Sequence, residues 1–175
     1  VANSIYHKTI CEEMQKFAED QKVIFLGQQV ASEDFYGTLK NVSLSKRMEM
    51  PVAEELQMGL SIGLAMEGYL PISIYQRMDF IPRSADQLIN HLNIMNSMTR
   101  GKFNPKVIIR TTIGSKTPFN VGPQHSQDLS DMCMSILHFP VAKVNTVEEV
   151  KEAYALARTI NGPILIIESQ ELYYE

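Results

Sequence analysis

The chain has 175 residues, 45% hydrophobic and 21% charged, and its 20 acidic side chains against 16 basic ones leave a net charge of −4. A chain of this size forms one globular domain that buries roughly 70% of its unfolded surface, so neither a disulfide nor a metal is needed to hold its core. The negative balance and the lack of any basic cluster argue against nucleic acid, and no apolar stretch approaches the ~20 residues of a bilayer span.

The N-terminal VANSIYHKTI carries no signal-peptide core, so neither secretion nor membrane insertion is expected. Cys11 and Cys133 sit far apart in apolar surroundings and read as small buried hydrophobes of a reducing compartment. A cytoplasmic location is the expectation.

Apolar periodicity alternates between helix and strand templates along the chain, which predicts an α/β, three-layer doubly wound domain with a mainly parallel sheet over residues 1–175. A first helix spans about Ser4 to Gln21, with Ile10, Met14 and Phe17 on one face, and Val23–Leu26 is a strand stopped by Gly27. A polar loop follows to about Lys46. A second helix starts after Pro51, with Leu56, Gly59, Leu60, Gly63 and Leu64 as its stripe and Gly68 as its stop; Gly59, Ser61 and Gly63 suggest close backbone packing.

Strand Leu70–Tyr75 leads to a third helix over about Ser84 to Arg100, and Val107–Thr111 is the next strand. Between Thr112 and Gln127 the run TIGSKTPFNVGPQHSQ has no period, and loops of that length in compact domains usually carry function. A short helix over Leu129–Leu137 precedes strand Val141–Val144. Thr146 and Glu149 form a capping box for the last helix, Asn161-Gly162-Pro163 closes it, and Ile164–Glu168 is the final strand.

The common chemistry motifs are absent from the places where they would act: no P-loop, no glycine-rich dinucleotide turn after a strand, no GxSxG at a strand-to-helix turn, since Gly59-Leu60-Ser61-Ile62-Gly63 falls inside the second helix, and no histidine spacing suited to a metal. Pattern alone leaves two candidates. Glu54 and Glu55 open a helix, where carboxylates also serve simply to complement the macrodipole. His125 lies in the long loop beside Gln124, Ser126 and Gln127, where it could act on a substrate or merely tie the loop down.

Five segments in order, TICEEMQKFAEDQKVIFLGQQV, MPVAEELQMGLSIGLAMEGYLPI, FIPRSADQLINHLNIMNSMTRG, VGPQHSQDL and GPILIIESQELYY, resemble the beta subunit of pyruvate dehydrogenase-type 2-oxo acid decarboxylases. More distantly they resemble the central domain of transketolase. The part matched is the pyrimidine-binding domain of thiamine-diphosphate enzymes, and it covers nearly the whole chain. The resemblance implies that Glu54, in register from Pro51, contacts the ring nitrogen of the cofactor's aminopyrimidine and exchanges a proton with it. Glutamine could bond that ring but could not exchange the proton. It also implies that His125 lies near the substrate, and that Met78, with Tyr75 three residues earlier, stands where an aromatic residue covers the pyrimidine.

Two further expectations come from the same resemblance. Gly27-Gln28-Gln29-Val30 replaces an acidic sequence of the beta subunits, so an acidic group near the active centre is lost. No Gly-Asp-Gly occurs, so the diphosphate and Mg²⁺ are expected on an alpha-type partner subunit in an α2β2-type assembly, with Gly59, Ser61 and Gly63 near a two-fold contact. The carboxy-terminal domain of the beta subunits is not in this sequence. The implied function is a subunit that activates thiamine diphosphate for 2-oxo acid decarboxylation or two-carbon transfer. Transketolase-like ketol transfer between sugars is one alternative, and a non-catalytic partner-binding domain is another.

Overall fold

The computed structural model describes residues 2–117 and 119–174. Six strands, β1 (Val23–Gly27), β2 (Arg47–Glu49), β3 (Leu70–Tyr75), β4 (Ile108–Ile113), β5 (Val141–Val144) and β6 (Ile164–Ser169), form one sheet in the order β2-β1-β3-β4-β6-β5. Every pair is parallel. Parallel neighbours require crossovers, and crossovers put helices on both faces of the sheet, which is why the central strands read as continuous apolar runs. In β6, Ile164, Leu165, Ile166 and Ile167 are all fully buried.

One face carries α1 (Ile5–Ala18) and α5 (Val147–Thr159), packed through Ile10, Met14, Phe17, Val150 and Tyr154 onto Phe25, Ile72, Ile108 and Ile166. The other face carries α2 (Glu54–Met66), a π-helical turn over Asp86–Leu92 and α4 (Ser130–Ile136), which close over Val107, Ile109, Leu165 and Ile167. The three-layer, doubly wound parallel architecture expected from the alternating periods is what forms. Capping fixes the outer helices: Ser4 accepts the His7 N–H at the start of α1, and Thr146 with Glu149 forms the reciprocal box that opens α5.

Three local expectations differ. Just past the polar loop, where no element was expected, lies an edge strand, β2, paired with β1 from Phe25↔Arg47 to Gly27↔Glu49. Three residues, Arg47, Met48 and Glu49, are too few to show a period. The third helix is not one α-helix. A 3₁₀ segment over Met78–Ser84 runs into the π-helical turn and then a single α-turn, α3 (Met95–Met98). Pro82 sits inside the first segment, and the Asn93 side chain is drawn away to the His138 N–H and the Ile136 carbonyl at the end of the second.

The stripe on α2 is reversed. Glu54, Gln57, Met58, Ser61 and Ile62 face inward, and Leu56 is 56% exposed. Among the described residues Gly63 has no atom within 4 Å of where a Cβ would stand, and Gly59 has only the Gln87 Cγ at 3.9 Å, so a side chain would fit at either position. Ser61 is turned inward, donating to the Gln57 carbonyl at 2.7 Å. Cys11 and Cys133 are free thiols in the core, as read from the sequence, and burial pushes the Cys133 thiol up to about 11. Among the described residues no helix is long and apolar enough to cross a membrane.

His7 ties α1 to the loop after β1: Nε2–H donates to the Tyr36 carbonyl at 2.9 Å, leaving Nδ1 as the acceptor 3.8 Å from the Cys11 thiol. Burial holds the imidazole below its ordinary range; the Tyr36 carbonyl opposes this, and the charges of Arg110 and Lys40 add to it. The unfolded chain therefore takes up this proton first, and stability contributed by neutral His7 is lost as pH falls through about 6.5. Thermal unfolding should show a midpoint that drops between about pH 7.5 and 5.5, and His7→Gln should flatten that slope. An equal slope in the variant would place the titration elsewhere.

Candidate functional site

In open parallel sheets, ligands bind beyond the carboxyl ends of the strands, and the candidate residues collect there. Glu54 is the first residue of α2, and only 3% of it is exposed. Its Oε2 accepts from Arg83 Nε at 2.8 Å, and no hydrogen bond from the described residues reaches Oε1. Neighbouring Glu55 is exposed, so the fold separates two glutamates that the sequence presents side by side. Two side chains hold the first turn of α2, which has no side-chain cap of its own. Gln57 donates to Ser73 Oγ at 3.1 Å and to the Ile74 carbonyl at 3.0 Å, and the Tyr75 hydroxyl donates to the Glu54 carbonyl at 3.3 Å.

Tyr75 is therefore a support beneath Glu54, and it stays a protonated donor because burial pushes its hydroxyl well above the ordinary range. Met78 is fully buried in the same apolar cluster, with its sulfur accepting the Leu129 N–H at 3.4 Å. Neither side chain presents a face to solvent.

His125 occupies a second part of the site. It is half-buried, set edge-on to Phe80 with ring centroids 5.8 Å apart, and it opens on a depression of about 450 Å³. Gln29, Glu33, Tyr36, Gln76, Arg77 and Val121 complete the walls. The loop bearing His125 is clamped by Asp79, whose Oδ1 accepts from the Gln127 N–H at 3.2 Å and its side-chain amide at 3.0 Å. Beneath it lies Gly114, where a Cβ would fall 1.8 Å from the His125 carbonyl oxygen and 2.8 Å from Arg77 Nη1. Any side chain there would push the loop outward. Gln28, just past the end of β1, is half-buried.

Tyr36 reaches the depression through an unusual backbone: Asp34, Phe35 and Tyr36 all have positive φ, at 55°, 43° and 54°. Left-handed geometry costs non-glycine residues about 1–2 kcal/mol each, so the surroundings must enforce it. Arg47 does so from β2, binding Asp34 and the carbonyls of Val30 and Val42, while Glu49 accepts the N–H groups of Gln29, Ala31 and Ser32. The short edge strand is thus a buttress for the loop that shapes the site.

The 3₁₀ segment joins the two parts, since Phe80 lines the depression and Arg83 grips Glu54. Glu54, Tyr75 and Met78 do not line the depression that holds His125. Sequence reasoning passed over Arg77, Arg83, Asp79 and Tyr36. The available signal was positional: Arg77 stands two residues past the end of β3, where open parallel sheets place ligand contacts.

The sequence matches the family described as transketolase, pyrimidine binding domain, over residues 3–175. The chain belongs to this family. Pyrimidine-binding domains of this kind occur in thiamine-diphosphate enzymes. Relatives include the mitochondrial pyruvate dehydrogenase E1 component subunit beta of Ascaris suum, 28% identical over 167 residues that cover 91% of this chain and 45% of that one. The corresponding beta subunit of Cyanidium caldarium is 30% identical over 173 residues, covering 94% and 50%. The pyrimidine-binding domain described here thus spans about half the length of these relatives. Its fold is shared with a solved structure described as a split gene transketolase, inactive beta4 tetramer, at a TM-score of 0.70 and 17% identity, covering 94% of this chain and 51% of that one.

Proposed function

We propose that this chain supplies the pyrimidine half of a thiamine-diphosphate site in a subunit that, with a diphosphate-binding partner, decarboxylates a 2-oxo acid or moves a two-carbon unit. The observation that carries this reading is Glu54: a buried carboxyl at a helix start, held at one oxygen by Arg83 and open at the other. An aminopyrimidine ring nitrogen fits that open oxygen. When bound, the cofactor supplies a stabilised carbanion equivalent, which no side chain of the protein can provide.

The protein's own part is positioning and proton handling. Glu54 holds or yields a proton at Oε1, with Gln57 and Tyr75 fixing the turn it stands on and Arg83 orienting the carboxyl plane. His125 presents its imidazole to the substrate side, where it can bond a carboxylate or a developing oxyanion. His125→Ala in the assembled enzyme should lower the rate while cofactor affinity holds. A parallel fall in affinity would make it a loop anchor.

The diphosphate and Mg²⁺ are assigned to the alpha-type partner, because Mg²⁺ demands oxygen ligands in octahedral array. Among the described residues no group of three or more His, Cys, Asp or Glu is placed to hold a metal. Self-association into an α2β2-type assembly is supported by the outward face around α2, where Val52 (74% exposed), Leu56 and Met66 (46%) flank the open glycines Gly59 and Gly63. Calorimetry of the isolated chain with Mg²⁺ and thiamine diphosphate should show negligible heat, and the partner should restore binding. Tight stoichiometric binding by the chain alone would overturn the half-site assignment.

A further inference from the structure

Six arginines occur in the chain. Arg47 pairs with Asp34, Arg83 with Glu54, Arg110 with Glu168 and Arg158 with Glu13, and Arg100 is solvent-exposed. Arg77 is the exception. It is half-buried in the wall of the depression, yet among the described residues no carboxylate stands within 4.0 Å of its nitrogens. Glu33 on the rim is exposed and outside that range.

Its guanidinium is nevertheless held in place. Nη1 donates to the side-chain oxygen of Gln170, itself 4% exposed and also the acceptor of the Ser115 N–H at 3.4 Å. The Tyr36 ring lies 5.9 Å from its Cζ, and the missing side chain at Gly114 makes the room it occupies. Among the described residues one of its five donors is used, and the fork opens on the same cavity as His125. A positioned, uncompensated guanidinium in a concave wall is built to meet an anion bidentately.

Which anion follows from the chemistry of the reaction. A 2-oxo acid already carries one carboxylate, but that group loses its charge as it departs as CO₂. A cation on it would stabilise the reactant more than the transition state and slow the step. We infer that Arg77 recognises a second anionic group (carboxylate, phosphonate, sulfonate or phosphate) at the end of the substrate remote from its reacting carbonyl. This inference rests on the proposed reaction class and narrows it to substrates with an anionic tail. Arg77 is then a specificity-determining residue.

The test uses the enzyme assembled with its partner and pairs of probes that differ only in the tail. The pairs are 2-oxoglutarate against 2-oxopentanoate, 3-phosphonopyruvate against 2-oxobutanoate, and fructose 6-phosphate against fructose. The anionic member of at least one pair should be preferred by about 100-fold in kcat/KM, the scale of a half-buried charge-assisted pair. Arg77→Gln should collapse that ratio towards one, chiefly through KM, and Arg77→Lys should keep part of it. The pair that responds identifies the tail.

A second readout is titration with glutarate, an unreactive dianion, whose affinity should fall at least 10-fold in Arg77→Gln. If that variant fails to fold, Arg77→Lys decides by the same two measurements. A ratio near one in the wild type, or a ratio unchanged by both variants, overturns the assignment. If no probe is turned over by the wild type, the reaction class is wrong, and the glutarate titration still decides Arg77.

Discussion

Glu54→Gln is expected to slow turnover of the assembled enzyme by at least ~100-fold, the usual scale for a lost proton-transfer group. Stability should barely move. The glutamine side chain matches the carboxyl in shape, and the partner it deprives, Arg83, has 57% of its side chain in solvent, where an unpaired guanidinium is hydrated at little cost. The loss should appear in kcat. Glutamine can still hydrogen-bond a ring nitrogen, but it cannot hold the proton there in one state and yield it in the other. Glu55→Gln is the internal control, because Glu55 shares the helix turn and the macrodipole but points to solvent. Steady-state kinetics with thermal unfolding of all three proteins checks the prediction, and matching losses for the two glutamates would reduce Glu54 to a helix-start charge.

Pattern alone offered Glu54 and Glu55 together, and only the register from Pro51 that the family resemblance implies set Glu54 apart. Apolar periodicity pointed the wrong way on the same helix, setting Leu56 and Gly59 inward, because periodicity assumes that the most apolar face is the buried one. Here the inner face mixes Met58 and Ile62 with Glu54, Gln57 and Ser61, polar groups that find partners in Arg83, the end of β3 and the helix backbone, and Leu56 is left outside. The sheet was easier. Runs such as Ile164–Ile167 are apolar throughout because both faces are covered, a pattern written in four adjacent residues. Arg77 and Asp79 carry no local signature, since a charge after a strand looks alike whether it meets water or a ligand. Their placement depends on Gly114, Gln170 and Gln127, which reach them across a large sequence separation.

Arg110 shows the same limit in the core, and it sets the largest expected change in stability. It lies in the middle of β4 with Glu168 on the neighbouring β6, and both are fully buried. Arg110 Nε and Nη2 reach the two Glu168 oxygens at 2.7 and 2.8 Å, and Nη1 donates to Thr38 at 2.9 Å. The hydroxyls of Tyr154 and Tyr173 donate to the same carboxylate, and the Phe35 ring lies 5.0 Å from the Arg110 Cζ. Burial alone would push the guanidinium down, but Glu168 more than reverses this, so the arginine stays charged; both tyrosine hydroxyls are driven well above their ordinary range and remain donors.

The network joins two strands, α5, the C-terminal turn and the loop carrying Tyr36, so its loss is felt from the core to the site. Arg110→Met should destabilise by about 3–5 kcal/mol, because it leaves Glu168 charged and buried without its partner. For a domain of this length that corresponds to a midpoint lowered by about 10 °C. Glu168→Gln alone should cost a similar amount by stranding the arginine. The double substitution Arg110→Met with Glu168→Gln removes both charges and keeps an amide oxygen for the tyrosines, so it should recover more than half of either loss. Urea unfolding of the four proteins closes the cycle, and a strictly additive double variant would mean that the pair holds the core by shape and not by charge.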